Sequence, residues 1–262
     1  MAEFWRSAAL PHLEARRSCQ ENPCYRPHTH DSFSIGAIDA GTSVLTGPLD
    51  GKTRLEPGDV IVIPAGQVHA CNPDRGHWLY QMIHADQAWA AALAPGGETS
   101  GLFDGIRVLR HPELRSQVSA VNDAVFTDEP RELLEAQFKA LFAEIEGAAP
   151  AHVAASEADP ELLARLAPVM HRLRTDETNP PLTELAASVG MSKYQLIRAM
   201  RRVTGLSPLA WRQNARVVMA RRMLREGRPI AETAHALGFT DQSHFHRVFR
   251  AHVAASPGTY RA

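Results

Sequence analysis

The chain has 262 residues, 44% of them hydrophobic and 22% charged, enough for two domains that each bury a core. Its net charge of −1 conceals an asymmetry: from Pro180 onward there are 13 lysines and arginines against 4 acids, so that end carries +9 and the rest −10. No apolar run approaches the ~18 residues of a membrane span, Met1–Arg6 does not read as a signal peptide, and three cysteines fit a reducing cytoplasm, which argues against a membrane protein or a disulfide scaffold.

Residues 1–26 are mixed and predict little beyond surface strands. From Pro27 to about Arg110, short apolar runs (Phe33–Ile38, Ser43–Thr46, Val60–Ile63, Trp78–His84, Ile106–Leu109) alternate with turn signals such as Asp39-Ala40-Gly41 and Leu49-Asp50-Gly51. That texture predicts a small β-barrel or sandwich. Ala85–Ala94 interrupts it as a short alanine-rich helix.

Two stretches of this region carry more. Pro27-His28-Thr29-His30 and the run from Pro57-Gly58-Asp59 through Pro64-Ala65-Gly66-Gln67-Val68-His69 resemble the two cupin motifs, H-x-H and G-x5-P-x-G-x2-H. On strands, His28 and His30 share a side, as do His69 and Cys71. The resemblance implies a cavity at a barrel mouth lined by His28, His30 and His69, with Tyr80 and Met82, for a small-molecule effector. A metal is the alternative occupant. Metal-binding cupins place a glutamate where this chain has Ser34, which disfavours iron or manganese. Zinc tolerates nitrogen and sulfur, so His28, His30, His69 and Cys71, or Cys24, form a four-ligand candidate. The reading we favour is a metal-free lining, with the cysteines as buried filler.

Two helices follow. Glu113–Phe126 places Leu114, Val118, Val121 and Val125 on one stripe, and Arg131–Glu146 places Leu134, Phe138, Leu141 and Ile145 on another. Pro112 and Pro130 open them, where a missing N–H costs nothing. Both stripes can cover the barrel; the expectation is that one does and that the Arg131–Glu146 seam forms a homodimer. Residues 148–159 are small and aperiodic and read as a linker. Pro160–Arg174 is a helix that Pro168 kinks or begins.

The end of the chain contains one idea written twice. Leu182–Gly190 and Ile230–Gly238 are short amphipathic helices ending at glycine; Ser192 and Asp241 then cap second helices reaching Met200 and Phe249. Apolar faces fall at Leu185, Ala186, Val189, Leu196 and Met200, and at Thr233, Ala234, Leu237, Phe245 and Phe249. Tyr194, Gln195, Arg198, Arg201 and Arg202 point outward on one second helix; Gln242, Ser243, His246, Arg247 and Arg250 do so on the other. Amides and guanidinium groups can read base edges, and arginines hold phosphates. A connecting helix, Pro208 to Glu226, is ~28 Å long, suited to holding two readers in successive major grooves. Arg212, Arg216, Arg221, Arg222 and Arg225 are expected on its surface, with Arg221 on phosphate.

The run Gly238-Phe239-Thr240-Asp241-Gln242-Ser243-His244-Phe245-His246-Arg247-Val248-Phe249-Arg250, then Ser256-Pro257-Gly258-Thr259-Tyr260-Arg261, resembles the DNA-binding domain of the AraC/XylS family of bacterial transcription regulators. The resemblance implies base reading by Tyr194, Gln195 and Arg198, then by Gln242, Ser243, His246 and Arg247. Ile197 departs from the polar residue often found there.

The expected protein is therefore α+β: a cupin-like β-barrel with dimerisation helices (1–147), a linker (148–159) and an all-α tandem helix-turn-helix domain (160–262). It is expected to be a cytoplasmic, effector-controlled DNA-binding regulator rather than an enzyme. It would act as a homodimer on double-stranded DNA and RNA polymerase, more as activator than repressor. The rivals are a metal or redox sensor using Cys24, His28, His30, His69 and Cys71, a cupin-type oxygenase that Ser34 disfavours, and a repair methyltransferase, which would want four clustered cysteines.

Overall fold

The computed structural model describes residues 2–21, 25–47, 51–155, 159–176 and 178–261. By contacts the chain forms two compact units: residues 1–23 with 30–155, and residues 24–29 with 156–262.

The first unit is an antiparallel sheet backed by helices. Its elements are β1 (Ala2–Arg6), β2 (Glu14–Gln20), β3 (Phe33–Thr46), β4 (Lys52–Leu55), β5 (Asp59–Ile63), β6 (Ala70–Ala85), α1 (Gln87–Leu93), β7 (Gly105–Arg110), α2 (Pro112–Phe126), α3 (Arg131–Gly147) and β8 (His152–Ala155). The strand order is β1-β2-β6-β3-β5-β7-β8, with β4 on β3. Two corrections to the strand reading arise here. Phe33–Ile38 and Ser43–Thr46 are one strand, and the expected turn at Asp39-Ala40-Gly41 is a run of register shifts against β6. Such bulges bend a strand without ending its pairing, so β3 and β6 curl as a pair and give the sheet its barrel-like form. Likewise part of the expected linker is a strand: Ile106 pairs with Ala154 and Val108 with His152. Leu49 and Asp50, of the second expected turn, lie outside the described residues.

Period two sorts the sheet into faces. Phe33, Ile35, Ala37, Val60, Val62, Ala15 and Ile83 pack with the α2 and α3 stripes in one core. This overturns the expected dimer seam. Leu134, Phe138, Leu141 and Ile145 are all within 1% of full burial inside the single chain. The Phe138 ring meets Trp89 at 5.0 Å, and Phe142 meets Phe33 at 5.8 Å. The seam periodicity was a surface facing α1 and the sheet, which a short heptad cannot distinguish from a coiled coil.

The second unit contains α4 (Pro160–Thr175), α5 (Leu182–Ser188), α6 (Lys193–Thr204), α7 (Pro208–Arg225), α8 (Ile230–Ala236), α9 (Gln242–Val253) and α10 (Pro257–Arg261). Pro168 lies inside α4 rather than at its start. Leu166, Val169 and Leu173 of α4 pack with Leu185, Leu196 and Met200. Thr29 joins this unit through a pair of bonds with Asn214 on α7: its N–H donates at 3.0 Å, and the Asn214 amide donates back at 2.6 Å.

Phe138→Ala should cost about 3–5 kcal/mol in chemical denaturation, the penalty for emptying a filled core site. The molar mass in light scattering should match the parent chain, because no subunit contact is touched.

Candidate nucleic-acid interface and sensor site

The two helix pairs repeat the same local chemistry. Gly190 and Gly238 take φ of 63° and 66°, the left-handed turn that releases the chain from α5 and α8. The Asp241 side chain accepts from His244 N–H at 2.6 Å and opens α9. Ser192 opens α6 as a full capping box: its hydroxyl accepts from Gln195 N–H at 3.3 Å, and Gln195 Oε1 accepts from Ser192 N–H at 2.8 Å.

Tyr194, Arg198, Arg201 and Arg202 on α6, and Gln242, Ser243, Arg247 and Arg250 on α9, are exposed; Tyr194 reaches 70%. Three expected readers are compromised or displaced. Gln195 is exposed, but its carbonyl oxygen is committed to the cap, leaving the amide N–H groups for a base. His246 is half-buried with Nε2 enclosed and unbonded. Arg221 is the clear correction: it is 5% exposed, its Nε donates to the Tyr260 hydroxyl at 3.2 Å, and its guanidinium lies 5.4 Å from that ring. Buried under α10, it cannot meet phosphate. Arg212 is also buried rather than exposed, donating to the carbonyls of Leu173, Asp176 and Thr178. Arg216 is half-buried, 5.7 Å from the Phe239 ring. A basic stripe in sequence says nothing about which stems turn inward.

In the sheet unit, the face away from α2 and α3 carries the polar cluster. Ser34 on β3 sits opposite His84 on β6. Its hydroxyl lies 2.7 Å from His84 Nδ1 and 3.1 Å from His30 Nδ1. The His30 ring meets His69 at 4.8 Å and His84 at 4.9 Å, both edge to face. All four residues are buried. His69 Nδ1 lies 3.0 Å from the Gln67 carbonyl, which can only accept, so the proton is on Nδ1 and Nε2 carries the lone pair. Burial lowers the His69 pKa to about 4 and keeps that ring neutral.

Further along the face, Tyr80 stacks on Trp78 at 4.1 Å, with Arg16 of β2 5.4 Å from the Tyr80 ring; Met82 is half-buried. Sequence reasoning named Tyr80 and Met82 but missed His84, Arg16 and the role of Ser34. Period two along Trp78–His84 was the available signal, since it puts His84 on the Tyr80 face. His28 falls in the helical unit, with Nδ1 2.7 Å from the Arg26 carbonyl.

Of the zinc candidates, His30, His69 and Cys71 lie in the sheet unit and His28 in the helical one; burial pushes the Cys71 thiol up to about 12, and the His30 Nδ1 bond to Ser34 leaves Nε2 as its possible ligand atom. Cys24 lies outside the described residues.

A family model described as AraC-like ligand binding domain matches residues 10–167, and one described as Helix-turn-helix domain matches residues 185–262. The chain belongs to the AraC family. The Escherichia coli (strain K12) arabinose operon regulatory protein is 26% identical over 232 residues, covering 79% of this chain and 72% of that protein. The Bacillus subtilis (strain 168) uncharacterized HTH-type transcriptional regulator YbfI is 26% identical over 238 residues, covering 89% and 86%. The structure of unsaturated fatty acid bound ToxT from Vibrio cholerae strain SCE256 shares the fold at a TM-score of 0.58 and 13% identity, covering 95% of this chain and 94% of ToxT. As a member of the AraC family, the protein is a DNA-binding transcription regulator with an N-terminal ligand-binding domain. No helix among the described residues is long and apolar enough to cross a membrane.

Two outcomes follow from the site. Because His69 binds its proton more weakly folded than unfolded, its contribution is full above about pH 6.5 and falls as pH drops toward about 4. Melting temperature should decline through that window, by the equivalent of up to about 3 kcal/mol, and His69→Gln should flatten the decline. Arg221→Ala should lower the melting temperature, yet leave the salt dependence of DNA binding unchanged in anisotropy titrations.

Proposed function

We propose that the protein reads DNA with Tyr194, Arg198 and Arg201 of α6 and with Gln242, Ser243, Arg247 and Arg250 of α9, while Gln195 contributes only its amide N–H groups. The observation that carries this reading is the matched pair of capped helices presenting exposed guanidinium and amide groups. One connecting helix of about 27 Å spaces them for successive major grooves.

The effector seat in this reading is the polar face of the sheet: His30, Ser34, His69 and His84, bounded by Trp78, Tyr80 and Met82. Imidazoles and a hydroxyl beside a stacked aromatic pair suit a small molecule with several hydrogen-bonding groups and one apolar face. Its binding would favour one conformational state and change how the DNA-binding units are presented. The working form is a cytoplasmic homodimer acting with RNA polymerase, as an activator rather than an enzyme, through a surface other than the buried α3 stripe.

Arg198→Ala and Arg247→Ala should each cost about 1–3 kcal/mol on the operator and relax preference at different base positions. Binding-site selection on randomised duplexes with each variant tests this; equal losses on operator and random DNA would refute base reading. In a thermal-shift screen of metabolites, a true effector should lose its stabilisation in His84→Phe.

A further inference from the structure

The exposed residues of α6 fall in two sectors. At 100° per residue, Tyr194, Arg198 and Arg201 share an arc of about 60°, whereas Gln195 and Arg202 lie about 80–100° round from Tyr194. That second flank borders a groove of about 290 Å³ whose lining includes Arg165 of α4, Arg198, Arg202, Gln195, Gly190 and Met191. Three guanidinium groups line it and no carboxylate does.

Arg165 is anchored rather than loose. Its Nε and Nη2 donate to the Val189 carbonyl at 3.1 and 2.7 Å, and Nη2 also reaches the Gly190 carbonyl at 3.4 Å. These bonds hold the guanidinium against the turn between α5 and α6, and they leave both Nη1 protons unused. Arg202 keeps only a loose ion pair, 3.5 Å from Asp159, whose other oxygen caps α4 through Leu162 N–H. Gathering three like charges in one concavity raises the energy of the free protein, and a polyanion relieves it. Planar guanidinium forks match phosphate oxygens.

We propose that this groove is a seat for the DNA backbone beside the bases read by α6. Arg165 and Arg202 grip one phosphate each, which makes α4, outside both helix-turn-helix pairs, a third element of the interface. The proposal rests on the DNA-binding role of α6 and adds a division of labour along it. The outward arc and the Gln195 amide meet bases, and Arg165 and Arg202 at the flank toward α4 set register through charge.

The test is fluorescence anisotropy of the full chain on a random-sequence duplex, titrated with KCl. Arg165→Gln keeps a donor for the Val189 carbonyl and removes the charge; Arg202→Ala removes a side chain that is 70% exposed. Each should lower the slope of log K against log salt by about 0.9, one phosphate's worth, and the double variant by about twice that. Arg165→Lys should keep the parent slope, and Lys139→Ala on α3 should leave it unmoved. Operator and random duplexes should weaken alike. An unchanged slope in folded Arg165→Gln or in Arg202→Ala overturns the seat, as does a slope lost equally in Lys139→Ala. If Arg165→Gln fails to fold, Arg202→Ala and Arg165→Lys still decide it. Absence of salt-dependent binding in the parent chain would instead remove the DNA-binding role itself.

Discussion

The geometry of the helical unit depends on α7 being bolted at both ends by arginines that point inward. Near its start, Arg212 spans carbonyls left open at the end of α4 and in the following loop. Near its end, Arg221 takes the Tyr260 hydroxyl on α10. A buried guanidinium is costly unless its donors are met, and burial lowers the Arg212 pKa. Here the carbonyls meeting it are groups that also need donors. Each pair helix-turn-helix is thereby fixed to one rod, and the spacing of α6 and α9 becomes a property of α7 rather than of two flexible loops.

What the sequence made legible was whatever is decided within a few residues. Glycines at 190 and 238, caps at 192 and 241, and prolines opening helices act locally, and the structure places them as read. Orientation across a packed interface is a different matter. Arg221 and Arg222 are neighbours of identical chemistry, one buried and one exposed, because a step of about 100° round α7 turns one toward Tyr260 and the other to the surface. The stripe on α3 was legible as a stripe, but its partner was not, because the same spacing serves a second subunit, a sheet or α1.

The sheet unit shows a second limit. Motif reasoning drew attention to residues flanked by proline and glycine, such as His30 and His69, and treated Ser34 as a gap. In three dimensions Ser34 is the hinge of the cluster, because its small hydroxyl lets His84 from a neighbouring strand enter where a longer side chain would sit. His84 carries no motif. It is found by alternation, and alternation does not say which face of the sheet will be polar.

The capping box on α6 has a consequence for the DNA it can prefer. Reading adenine with glutamine takes both the carbonyl and the amide of one side chain, but in Gln195 the carbonyl already holds the first turn of the helix. Freeing it forfeits a cap of about 1 kcal/mol, so folding and discrimination compete for one oxygen. On α9 the cap is an aspartate that stands before the reading face, and Gln242 keeps its whole amide. On the proposed reading, the two halves of the recognised sequence would differ in information content, the half under α9 met by a whole amide and the half under α6 by amide N–H groups alone.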